Sequence, residues 1–115
     1  MPTVAPLDLN EHCISALFID DIPFFALASG DVHRLDYGHH SHEMHDGLLA
    51  ASISTDGLSL LTSGEDGKVM GLSAKGQETE LASIGSKWIS ALSSGPNQAL
   101  GFATGRKASI RLKDG

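Results

Sequence analysis

With 115 residues, 41% of them hydrophobic and 19% charged, the chain is sized for a single globular domain and is too apolar for a disordered segment. Its net charge of -6, with no cluster of Lys and Arg, excludes a general binder of the nucleic-acid backbone, which must neutralise phosphates. The single cysteine, Cys13, cannot pair within the chain, and no run approaches the roughly 20 apolar residues of a spanning helix, so a cytoplasmic protein without a membrane partner is expected.

Residues 1–12 hold two prolines and scattered apolar residues without a period, and read as a flexible leader to a folded region over 13–115. The 13 glycines favour many turns over long helices, so the expected class is all-β. A strand starts at Ile14, with Cys13 beside it as a small buried residue. Asp20-Asp21 before Pro23 marks a turn. Residues 22–28, nearly all apolar and including Phe24 and Phe25, predict a strand buried on both faces. Ser29-Gly30 marks the next turn, residues 32–35 a third strand and the His-rich residues 38–44 a fourth.

The clearest pattern spans residues 48–72. Two apolar runs flank Thr55-Asp56-Gly57, and a second turn, Gly64-Glu65-Asp66-Gly67, leads to a third run at Val69. Asp-Gly between apolar runs is the strongest local hairpin signal, because Gly takes positive φ at no steric cost. A further strand fits residues 77–84. Trp88 then precedes a third inner strand from Ile89 and is expected to fill space between the second and third units. Gly95-Pro96-Asn97 forms its turn, and residues 109–113 alternate as a half-buried strand.

The units are imperfect copies: Ser-Gly or Thr-Gly pairs end at Gly30, Gly64 and Gly105, and Ile14-Ser15-Ala16-Leu17 recurs as Ile89-Ser90-Ala91-Leu92. The spacings of 34 and 41 residues between those glycines place an insertion between units, and the units run over about 14–46, 48–86 and 88–115. Repeats near 40 residues with about four strands each are the signature of β-propeller blades.

Residues 14–115 resemble WD-repeat β-propeller blades: Asp56-Gly57, Thr62-Ser63-Gly64 and Asp66-Gly67 match that family's order and spacing, with Leu72 and Ser73 where its Trp-Asp stands. The resemblance implies antiparallel four-stranded blades, here an incomplete propeller of about two and a half to three blades. It also implies a structural turn network drawn from His45, Thr62, Ser63 and Asp66. Since propellers have roughly four to eight blades, the expectation is an N-terminal part of a longer propeller, with self-association through exposed blade faces as the alternative.

Such a resemblance implies a non-enzymatic scaffold that binds protein or peptide partners through rim loops, here Asp20, Asp21, Asp56, Pro96 and Asn97. No nucleophile elbow or Cys-His arrangement stands out, and no cofactor is implied. Two alternatives remain. One is a divalent-metal module on residues 39–45, in which His40 and His42 share one face of a strand. The other, ranked last, is a ligand-binding or lactonase-like propeller with its site in the channel, which calls for acidic or His residues on the inner strands, where this chain instead has Ser15, Ser52, Ser54 and Ser90.

Overall fold

A computed structural model describes residues 11–85, 87–95 and 99–112. Its first sheet is a meander of β1 (Cys13–Ile19), β2 (Ile22–Leu27), β3 (Asp31–Leu35) and β4 (His39–Glu43). The second runs through β5 (Leu48–Ile53), β6 (Ser59–Gly64), β7 (Lys68–Ser73) and β8 (Glu78–Ser83). The third has β9 (Ala91–Ser94), β10 (Leu100–Thr104) and β11 (Lys107–Arg111). Every neighbouring pair is antiparallel. Among the described residues no helix is long and apolar enough to cross a membrane.

Local chemistry sets the turns. Between β1 and β2, Asp20 and Asp21 sit at φ 50 and 64, the two positive angles of a type I′ hairpin, which Asp tolerates better than most side chains. Between β5 and β6, the Asp56 carboxylate accepts from the Ser54 hydroxyl and the Leu58 N–H while Gly57 takes φ 74. The β6–β7 turn repeats the device: Asp66 accepts from the Lys68 N–H and Gly67 takes φ 74.

The sheets stack face to face, and β1, β5 and β9, the first strand of each, lie in succession. Ile19, Phe24, Ala26 and Val32 of the first sheet pack on Leu48, Leu60 and Leu72 of the second. On its other face the second sheet packs Leu61 and Val69 on Ile89, Leu100 and Phe102. Leu60 and Leu61 are adjacent yet 0% and 4% exposed, so the central sheet is covered on both sides. Burying each such side chain contributes about 1.5–3 kcal/mol.

A polar link fastens the first two sheets. Arg34 on β3 is buried; its Nη1 donates to the Asp36 carboxylate and to the Ala74 carbonyl, both at 3.0 Å. His42 on β4 meets Glu78 on β8 at 3.0 Å.

Four sequence expectations change. The 22–28 run is covered unevenly on its two faces: Phe24 and Ala26 turn into the first interface, whereas of the residues alternating with them Pro23 and Phe25 remain half-buried and only Leu27 is fully buried. Trp88 is 60% exposed, because Ile89 takes the inward place. Cys13 is exposed at the bulged start of β1.

The fourth change is the register of the repeat. Gly30 and Gly67, 37 residues apart, are the equivalent glycines, rather than Gly30 and Gly64. Each has positive φ, and a Cβ on either would meet the carbonyl oxygen of the following connection, His45 or Gly85, within 2 Å. The carbonyls of the two glycines themselves accept matching bonds: the Gly30 oxygen takes the N–H of Met44 and His45, and the Gly67 oxygen takes that of Ile84. Close backbone approach makes these positions glycine. Pairing carries the equivalence on: Ala16↔Phe25, Ala51↔Thr62 and Leu92↔Phe102 are the same rung of three sheets.

Candidate functional site

His45 lies in the connection from β4 to β5, and Thr62 sits on β6 with its side chain on the face turned to the first sheet. The His45 Nε2 is 2.8 Å from Thr62 Oγ1, and its Nδ1 is 2.9 Å from Asp66 Oδ1. With a carboxylate on Nδ1, the ring donates there and its Nε2 accepts the Thr62 hydroxyl proton. Ser63, one residue on, points to the opposite face and donates to the Ile89 carbonyl at 3.0 Å. Of the four residues of the expected network, three are joined and Ser63 serves the other interface.

Hydroxyl, imidazole and carboxylate in this order also match a hydrolytic triad. Access separates the two roles: the His45 side chain and Thr62 are both 0% exposed, so no substrate reaches the hydroxyl. The constellation locks a turn to a strand. It is confined to the second sheet, because Phe25 and Phe102 occupy the Thr62 position in the others.

The open chemistry lies between the second and third sheets, in a cleft of about 680 Å³. Ser54, Thr55, Ser59, Ser73, Thr79 and Ser94 supply hydroxyls, Asp56 and Arg111 supply charge of opposite sign, and Leu61, Leu81 and Leu100 supply apolar surface. Gly71 on β7 also lines it. Turn-to-turn bonds fix its mouth: the Thr55 N–H donates to Ser94 Oγ at 2.9 Å, and the Thr55 hydroxyl bonds Ser94 and the Gly95 carbonyl. The bonds from Ser54 and Leu58 hold the Asp56 carboxyl below the usual carboxylate value.

Of the expected rim residues, Asp56 lines this cleft, while Asp20 and Asp21 are exposed at the corresponding turn of the first sheet and do not. Pro96 and Asn97 lie outside the described residues. Sequence reading placed Thr55 in the turn with Asp56 but missed Ser94 and Arg111. Hydroxyls alternating with apolar residues, as in Ser59-Leu60-Leu61 and Thr79-Glu80-Leu81, were the available signal, but Arg111 carried none.

His40 and His42 share a face of β4 and have different partners: His40 Nε2 meets the Asp36 carbonyl at 3.0 Å and His42 turns to Glu78. The imidazoles that converge are His33 and His39, with ring centroids 4.7 Å apart. Burial, then the neighbouring His39, push His33 below its ordinary pKa, against a smaller opposing pull from Asp31. Among the described residues no three His, Cys, Asp or Glu side chains group to hold a metal. No family model matches the chain, and no curated protein matches it.

Proposed function

We propose that this chain is a non-enzymatic binding module of a WD-repeat-like β-propeller, and that the cleft between its second and third sheets receives a peptide segment of a protein partner. The cleft carries the reading: about 680 Å³, within the size range of ligand sites, with hydroxyls, one carboxylate and one guanidinium above an apolar floor. That mixture suits an extended peptide, whose backbone N–H and C=O groups need partners and whose side chains need pockets. The propeller reading draws on the face-to-face stacking, on the succession of β1, β5 and β9, and on the relay of His45, Thr62 and Asp66. A cytoplasmic location goes with it, consistent with the unpaired Cys13.

The test is selection from a random dodecapeptide display library, followed by affinity measurement. Enriched peptides are expected to lose about tenfold or more in affinity to Asp56→Ala and Arg111→Ala, equivalent to about 1.4 kcal/mol each. Peptides that bind both variants as well as the parent, or a library that yields no enrichment, would overturn the reading.

A further inference from the structure

We infer that His33 and His39 form a two-imidazole binding site for a borderline divalent cation, Cu2+ most tightly. This site is independent of the cleft. The pairing of β3 with β4 sets Leu35 opposite His39 and His33 opposite Ser41, so the two histidines are diagonal neighbours on one face of the first sheet. Their Nδ1 and Nε2 atoms point at each other within hydrogen-bond reach. Two imidazole lone pairs cannot face each other bare, so one nitrogen carries a proton in the metal-free protein.

A cation replaces that proton with little movement. Metal–nitrogen bonds of about 2.0–2.1 Å set two ligating nitrogens about 3 Å apart, a small rotation of exposed rings away from the present geometry. The displaced proton moves through solvent to the outer nitrogen of the same ring, so both rings stay neutral and each offers one lone pair. Asp31 and Glu43, a directly opposed pair on the same face, add negative charge beside the site. Water fills the remaining coordination positions. Imidazole suits copper, nickel and zinc, and among the divalent first-row ions copper binds most tightly. His40 and His42 belong to the other face and already have partners in Asp36 and Glu78, so they do not take part.

Cu2+ titration of the full chain, followed by calorimetry and electron paramagnetic resonance, tests the site. Saturable binding with the nitrogen hyperfine pattern of two imidazoles is expected. His33→Ala and His39→Ala should each weaken it about tenfold or more and reduce the pattern to one imidazole. The double variant His40→Ala/His42→Ala should bind as the parent does. Far-ultraviolet circular dichroism of each variant separates loss of the site from loss of the fold, and His33→Gln and His39→Gln replace any alanine variant that unfolds. Absence of saturable binding overturns the inference. Retention of the two-imidazole pattern in either single variant, or its loss in the His40/His42 double variant, overturns it equally.

Discussion

The Nδ1 of His45 lies 2.9 Å from Oδ1 of Asp66, joining the connection between the first two sheets to the β6–β7 turn. The same ring reaches Thr62 through Nε2, so one buried imidazole ties three points of the backbone together. A buried polar group of this kind stabilises only when all its partners are present.

Thr62→Val keeps the shape of the side chain but removes the hydroxyl and leaves His45 Nε2 unpaired. A loss of about 1–3 kcal/mol is expected. Urea unfolding measures it through the transition midpoint, and an unchanged midpoint would mean that the relay contributes nothing to the fold.

Arg34→Ala removes the donor that holds the Ala74 carbonyl and the Asp36 carboxylate. Asp36 is partly exposed and can rehydrate, so the expected loss is about 1–3 kcal/mol rather than the full penalty of an uncompensated buried charge. Lys68→Ala, which breaks the exposed pair with Glu80 at 3.8 Å, should cost no more than about 0.5 kcal/mol. Equal losses in the two variants would contradict this ranking.

Asp21→Gly should stabilise the protein. Position 21 holds φ 64, which a side chain resists and Gly does not, and Asp20 followed by Gly is the preferred pair for this hairpin. A gain of about 0.5–1 kcal/mol remains after the extra freedom of Gly in the unfolded chain. Thermal unfolding reads it as a raised Tm, and a lowered Tm would show that the Asp21 side chain does more than occupy the turn.

The Asp56 carboxyl should titrate below the ordinary value of 3.8, because the Ser54 hydroxyl and then the Leu58 N–H stabilise its charged form. A carboxyl depressed in the folded state contributes stability that is present above its unfolded pKa and lost as pH falls through the folded value. The affected window therefore lies below about pH 4. Carbon-detected NMR titration follows the carboxyl directly: Ser54→Ala should move the midpoint up toward 3.8, and an unmoved midpoint would rule out the hydroxyl as the cause.

The turns were legible in the sequence because their chemistry is local. Asp20-Asp21, Asp56-Gly57 and Asp66-Gly67 all close hairpins, and the alternation between them gives the antiparallel strands. The repeat was visible too, but its register was not: Ser-Gly at 63–64 resembles Ser-Gly at 29–30, whereas close backbone approach equates Gly30 with Gly67. Letter matching cannot see a carbonyl that arrives from the next connection.

The sequence by itself determined an all-β chain of antiparallel meanders with polar turns, because strand period and turn angle depend on residues a few positions apart. Tertiary structure alone decided that Thr62 rather than Ser63 meets His45, and that His33 pairs with His39 while His40 and His42 look elsewhere. It also decided that Thr55 and Ser94 close the mouth of a cleft. The reason is that a one-residue choice of face is fixed by strand pairing and by which sheet stacks on it, and most of those contacts join residues 17 to 40 positions apart, beyond the reach of a local pattern.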